Sequence, residues 1–365
     1  MELNLKARWH HLIAPIDPLL MLFFTLLLGY ALLVVSSASP DRIGSQLMNM
    51  LVALVVMRIG AEFPPQRLLR FALPTFILGV LLLLAVALFG DISKGARRWL
   101  NLGFMRIQPS ELMKIAMPLM LAWYFQRHEA QRRLRDYAVA ALILLIPVGL
   151  IARQPDLGTA ILVFTAGFYV IFFAGLPWWI IGSMGLAAAA AAPLAWTYVL
   201  HDYQRNRIMT LFDPEADPLG KGFHIIQSTI AIGSGGILGK GWGQGTQSQL
   251  EFIPERHTDF IFAVLSEEFG LIGNSVLLIL YALLISRCMM IAANAPTLFT
   301  RLLAGSITMI FFTYAFVNMG MVSGILPVVG VPLPFVSYGG TALVTLSFGI
   351  GILMSVQKNR MLVQK

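Results

Sequence analysis

The feature that most restricts this chain is the recurrence of unbroken apolar runs, each about the length of a bilayer crossing, from residue 17 to residue 356. Ten such runs are read at 17–37, 44–62, 68–90, 109–126, 137–152, 157–175, 177–200, 260–287, 300–323 and 335–356. In hydrocarbon every backbone polar group must be satisfied within the protein, so only helices and closed barrels cross a membrane. These runs are continuous rather than alternating, which predicts helices and excludes a barrel. Only 12% of the 365 residues are charged, about half the share of a soluble domain, and the mean hydropathy is +0.77. The expectation is an all-α, polytopic integral membrane protein forming one domain over 1–365, with about ten transmembrane helices. The run at 44–62 is the least apolar, and those at 137–152 and 157–175 are short; they are read as two spans rather than one re-entrant feature. The first run is long and no small-residue cleavage site follows it, so it is read as a retained helix.

The single cysteine, Cys288, excludes an internal disulfide, and no Cys/His spacing has zinc character. The net charge of +8 is better read as orientation and lipid contact than as affinity for nucleic acid. An even span count puts both termini on one side. That side collects Lys6, Arg8, Arg58, Arg67, Arg70, Arg127, Arg132, Arg133, Arg135, Arg287, Arg301, Lys358, Arg360 and Lys365, so both termini are expected in the cytoplasm. Yet the opposite side also carries cations: Lys94, Arg97, Arg98 and Arg106 at 91–108, Arg153, and Arg205, Arg207, Lys221, Lys240 and Arg256 at 201–259. Cations placed against the topogenic bias suit an anionic ligand on the outer face, with solvated loop charge as the alternative.

Two connections stand out. The 201–259 stretch is long and rich in glycine, with an apolar run from Ile225 to Ile232. It is expected to be an ordered outer loop between the seventh and eighth spans, carrying a short amphipathic or re-entrant helix. The 320–340 segment has no charge and is full of Pro and Gly, so it cannot be regular helix. It is read as a re-entrant wall lining a cavity, because irregular backbone at membrane depth needs protein or water around it.

The chemistry-bearing residues cluster on the outer side. Glu111 and Lys114 are three apart and share a helix face, as a substrate site or as a structural ion pair. The Lys94-Gly-Ala-Arg-Arg-Trp99 run offers arginine forks for phosphate, and Trp99 suits the headgroup level. Asp156 follows Arg153 in a short turn and can cap the next helix or join a polar site. Asp259 closes the stretch Glu251-Phe-Ile-Pro-Glu-Arg-His-Thr-Asp259, ahead of an apolar helix carrying Glu267 and Glu268. It can cap that helix or act as a general base toward a sugar hydroxyl; His257 is the other candidate base.

Five segments together resemble the SEDS family (shape, elongation, division and sporulation). They are Lys94–Trp99, Gln108-Pro-Ser-Glu-Leu-Met-Lys114, Gln154-Pro-Asp-Leu-Gly-Thr159, Glu251–Phe262 and Leu333-Pro-Phe-Val-Ser-Tyr-Gly-Gly340, in family order over nearly the whole chain. The Glu-Arg-His-Thr-Asp-Phe-Ile wording is closer to members that serve cell elongation than to those of division. The resemblance implies ten spans and a membrane glycosyltransferase that polymerises lipid II into β-1,4-linked glycan strands at the outer face of the inner membrane. It implies a class B penicillin-binding protein as transpeptidase partner, within the elongation machinery. The family's proposed catalytic aspartate matches Asp259, and its cavity Glu and Lys match Glu111 and Lys114. Arg98, Lys114, Arg205 and Arg207 are the expected cations for the pyrophosphate leaving group. No tightly bound cofactor is expected; a divalent cation, Mg²⁺ or Mn²⁺, could assist at the pyrophosphate. The competing readings are a flippase or transporter for the same lipid and a scaffold that only activates its partner. The absence of convincing inverted repeats and the one-sided polar groups weigh against transport.

Overall fold

The computed structural model describes residues 16–93, 96–101, 103, 106–129, 133–200, 202–216, 220–250, 252–253 and 255–363. Each expected span coincides with a helix: α1 (Pro18–Ala38), α2 (Ile43–Glu62), α3 (Pro65–Phe89), α4 (Pro109–Arg127), α5 (Leu134–Ala152), α6 (Leu157–Phe173) and α7 (Trp178–Leu194). The outer segment then forms α8 (Asp202–Phe212), α9 (Lys221–Ser234) and the single turn α10 (Thr246–Gln249). The last three long helices are α11 (Ile261–Ala293), α12 (Leu298–Val322) and α13 (Gly340–Val363).

Local chemistry sets the helix starts. Proline stands in the first turn of α1, α3 and α4, where its missing N–H costs nothing. Asp17 caps α1 by accepting from Leu20 N at 2.8 Å, and Thr297 caps α12. Among the described residues eight helices are long and apolar enough to cross a membrane. The two expected spans outside that set are α6, which has 17 residues, and α4, which carries Glu111, Lys114 and an internal Pro118. Both are enclosed by other helices, so protein rather than lipid satisfies them: 14 of the 19 residues of α4 are buried.

The chain does not stay purely helical. Three short strands, β1 (Asp91–Ser93), β2 (Ala96–Asn101) and β3 (Arg106–Ile107), form a small antiparallel sheet in the order β1-β2-β3. The sequence there shows only a basic loop, because strands this short carry little periodicity.

Contacts between connections define the two ends of the bundle. At one end Arg256 donates to the Ala38 carbonyl, Ser337 to the Thr258 carbonyl, and Arg98 approaches Asp156. At the other, Arg287 pairs with Asp17, Ser355 donates to the Phe63 carbonyl, and Phe299 N donates to Gln126. Residues 16 and 363 therefore lie at the same end, as an even number of crossings requires.

Helix α12 is the most enclosed long helix and packs against α4, α6, α11 and α13. Helix α7 is its opposite, with no buried residue along its length. The described residues of the 201–259 segment form helices and turns, and α9 extends beyond the predicted apolar run at both ends. Its Ser228 donates to the Val322 carbonyl at 2.9 Å, which ties it to the end of α12. The 323–339 segment is irregular and largely enclosed, with Val331, Leu333, Phe335 and Val336 buried. This is the irregular wall that its proline content predicts.

Helices α2 and α13 touch most closely at glycine. A Cβ on Gly351 would meet the Met57 carbonyl and come within 3.0 Å of Ala61 N and Gly60 Cα. Gly351→Val should therefore force the pair apart, costing about 1–3 kcal/mol and lowering the unfolding midpoint in detergent. An unchanged midpoint would show that this crossing is not a tight one.

Candidate active site

Lys114 sits one turn inside α4 and is only 3% exposed. An ammonium in such surroundings is tolerated only when paired and hydrogen-bonded. Its Nζ donates to Glu111 Oε1 at 2.6 Å and to the Tyr314 hydroxyl on α12. The predicted i,i+3 pair exists, and Tyr314 is its third member.

Asp156 stands beside this group. It caps α6, accepting from Thr159 N at 3.3 Å, and also accepts from Gln108 Nε2 at 3.2 Å. Arg98 on β2 lies 3.8 Å from the same carboxylate. Capping and a polar site are thus both realised. The cation beside Asp156 is Arg98 from the sheet, whereas Arg153 is exposed.

Asp259 reaches the site by a different route. Helix α11 begins at Ile261 with Phe260 in the cap position and no side-chain cap bond, so Asp259 is not the N-cap that the sequence allowed. Its turn is held from two directions. Asn318 Nδ2 donates to the Asp259 carbonyl at 2.8 Å and to the Val331 carbonyl at 2.7 Å. Ser337 Oγ donates to the neighbouring Thr258 carbonyl at 2.6 Å. Asp259 lines a cavity of about 170 Å³ with Thr258, Pro332, Leu333, Ser337 and Tyr338 among its walls.

Helix α12 joins the two groups. Tyr314, which holds Lys114, and Asn318, which holds the Asp259 turn, are four residues apart on one face, a rise of about 6 Å. Neither was singled out from the sequence. Their signal was present: two polar groups at helical spacing inside an apolar span. The 323–339 wall closes the arrangement, because a Cβ on Gly158 would lie 2.6 Å from the Val329 carbonyl, and one on Gly330 3.4 Å from Asp259 Oδ2.

The remaining candidates lie elsewhere. His257 lines a separate polar cavity of about 380 Å³ with Asp41, Arg42, Glu255 and Arg256. Tyr338 stands between the two cavities: its ring packs edge-on to His257 at 5.5 Å, beneath the Arg42 guanidinium at 5.2 Å. Burial, and then the Arg42 charge, hold the His257 pKa below its ordinary 6.5. Arg205 donates to the Thr197 carbonyl at 2.8 Å and lies 3.7 Å from Asp202. Its helix α8, which also carries Arg207, packs on α9 and on the turn at Pro214–Ala216. The structure thus gathers Arg98, Glu111, Lys114 and Asp156, brings the Asp259 turn to the same face of α12, and leaves Arg205 outside that group. Lys94, Glu251 and Pro254 lie outside the described residues. Among the described residues no three His, Cys, Asp or Glu side chains cluster as a metal site, so a divalent cation would need substrate phosphate among its ligands.

Two expected outcomes follow from this geometry. The His257 imidazole should titrate below pH 6.5 by NMR, and Arg42→Ala should raise its midpoint. Because the folded pKa is the lower one, His257 weakens the fold only as the pH falls and the ring is forced to charge. A midpoint at or above 6.5 would contradict the placement. Gly330→Ala should lower turnover, because Gly330 has φ +74, which alanine holds only under strain, and relief of that strain would shift the wall that touches Asp259 Oδ2. Unchanged turnover would show that this wall does not shape the site.

The chain matches a family model for FtsW, RodA and SpoVE, described as cell cycle proteins, over residues 15–362. It is 52% identical to the peptidoglycan glycosyltransferase MrdB of Escherichia coli K12 over 365 residues, covering 99% of this chain and 98% of that protein. It is 33% identical to the peptidoglycan glycosyltransferase RodA of Treponema pallidum, covering 77% of this chain and 82% of that one. Among solved structures it resembles a peptidoglycan synthase complex that coordinates polymerization and crosslinking, with a TM-score of 0.80 and 36% identity, covering 94% of this chain and 98% of that one. The rod shape determining protein RodA of Thermus thermophilus aligns with a TM-score of 0.71 and 30% identity, covering 94% and 97%. With its multi-pass helical fold, its motifs in order and its near-complete alignment, the chain belongs to the FtsW/RodA/SpoVE family of cell cycle proteins.

Proposed function

We propose that the chain is a peptidoglycan glycosyltransferase that polymerises lipid II into β-1,4-linked strands at the outer face of the bacterial inner membrane, during cell elongation. The observation that carries this reading is the gathering of Asp259, Lys114, Glu111, Asp156 and Arg98 at one end of the bundle on the α12 face. A carboxylate and a buried ammonium within an apolar helical bundle are costly unless they serve a polar substrate. The named activity of the relatives supports the same chemistry.

In the proposed step the 4-hydroxyl of the acceptor GlcNAc attacks the donor's anomeric carbon. The carbon–oxygen bond to pyrophosphate breaks as the new glycosidic bond forms, with inversion. Asp259 takes the hydroxyl proton, which requires hydrogen-bond reach to that oxygen. The undecaprenyl pyrophosphate leaves with added negative charge. Lys114 and Arg98, which contact Glu111 and Asp156, would stabilise it. Arg205 and Arg207 on α8 would meet the headgroup only from the outer segment. A class B penicillin-binding protein supplies crosslinking, consistent with likeness to a synthase complex. Both termini are assigned to the cytoplasm on the basic residues at their end of the bundle.

The test is polymerisation of purified lipid II by the protein with its partner, with moenomycin silencing conventional glycosyltransferases. Asp259→Asn should abolish glycan product in a folded complex, and normal polymerisation by that variant would remove Asp259 from catalysis. Lys114→Ala should abolish product while the partner complex survives. It leaves the Glu111 carboxylate buried without its cation, at a cost of about 3–5 kcal/mol. Loss of the complex itself would make the ion pair structural.

A further inference from the structure

We infer that Glu267 is a positioning residue for the reaction: it clamps a glycine loop into a break in α11 and thereby fixes the short helical segment whose preceding turn carries Asp259. The inference rests on the reading of Asp259 as the catalytic carboxylate.

Helix α11 is not continuous. Gly270 has φ 61 and ψ −155, which separates a leading segment, Ile261 to Phe269, from the long remainder. That segment has nine residues, about 13 Å of helix, and such a length is not stable alone in water. No side chain caps its start. Its far end is completed by foreign backbone. Lys240 N and Gly241 N donate to the Glu267 and Glu268 carbonyls at 3.0 Å each. Beyond the break, Leu271 N and Ile272 N donate to the Gly236 and Ile237 carbonyls at 2.9 and 3.1 Å. The donors and acceptors released by the break are thus taken up by one loop, 235–241. Only glycine fits the approach: a Cβ at Gly235 would overlap the Ser266 carbonyl, one at Gly239 the Glu268 carbonyl, and one at Gly270 the Ile237 carbonyl at 2.7 Å.

The Glu267 side chain holds that loop in place. It is 0% exposed. Its Oε1 accepts from Lys240 Nζ at 2.6 Å, Thr246 Oγ1 at 3.0 Å and Gln247 N at 3.0 Å, and its Oε2 from Ser248 N at 3.4 Å. Every donor comes from the outer segment. Next to it, Glu268 accepts from Ser37 Oγ at 2.5 Å and fixes the same segment to α1. Glu267 lies eight residues from Asp259, about 12 Å along a helix, so it cannot touch the reacting atoms. Its leverage is geometric. If the loop lifts, the leading segment loses its end contacts, and the turn at its start loses the fixed base that an active-site carboxylate needs.

The experiment uses the full-length protein in complex with its partner. Glu267→Gln should lower the turnover of lipid II about tenfold, with KM within twofold and the pH profile of turnover unshifted. Hydrogen–deuterium exchange of the amides at 261–266 should accelerate at least tenfold, while α4 and α12 stay protected. Lys240→Met should reproduce both effects to a lesser degree, and Lys240→Arg should restore them. Turnover by Glu267→Gln equal to the parent, a loss expressed in KM, or slowed turnover with unchanged exchange would each overturn the inference. If Glu267→Gln does not assemble, the Lys240 pair decides by the same criteria. A parent protein that makes no glycan product would refute the polymerase reading instead, and the exchange measurement would still test the clamp.

Discussion

A lysine ammonium enclosed by apolar helices can persist only with partners, and Lys114 has two, Glu111 on its own helix and Tyr314 on α12. The surrounding architecture follows from that requirement. Because α4 carries this charge pair it cannot face lipid, so it lies among α3, α6 and α12 with most of its surface covered. Because Tyr314 must reach Lys114, α12 is fixed in rotation about its axis. With its rotation fixed, Asn318 one turn further along is presented to the backbone of Asp259. One polar stripe on one helix therefore sets the relation between the cationic group and the carboxylate.

The site is also a meeting of irregular backbone. The 323–339 wall, the turn before α11 and the broken α11 helix all depart from regular structure at membrane depth, and each has its polar groups taken up by protein. Phe335 shows the constraint on the wall itself. It has φ 64, a conformation rare for a ring-bearing residue, and is held by edge-on contacts with Phe24 at 5.1 Å and Phe311 at 5.3 Å. Local strain next to a site is what rigid placement of a wall demands.

Much of this was legible in the sequence, for identifiable reasons. Span number followed from the length of the apolar runs, and the irregular wall from its prolines. The Glu111–Lys114 pair followed from i,i+3 spacing, which fixes a helix face without tertiary information. What escaped was what depends on tertiary packing. Asp259 looked able to cap α11, but the helix starts one residue too late for it. His257, two residues from Asp259, faces another cavity because residues 255–260 form a tight turn, with Thr258 N and Phe260 N both donating to the Glu255 carbonyl. Arg205 has the charge for a phosphate contact but lies with Asp202 and the Thr197 carbonyl. The short sheet at 91–107 and the break at Gly270 carry too little pattern to be seen in advance. Tyr314 and Asn318 could have been found by asking which polar residues recur at helical spacing in an apolar span.

If Asp259 is the base, the Lys114 group and Asp259 act as one unit through α12. A double-mutant cycle on the residual single-turnover rate, followed at excess enzyme over hours so that losses beyond the reach of the steady-state assay are still measured, tests it most directly, using Asp259→Asn, Lys114→Met and the pair together. Residues that act as a unit are strongly non-additive. The double variant should lose no more than about the larger of the two single losses. A loss equal to the product of the two would mean that the residues act independently, and the α12 coupling would be wrong.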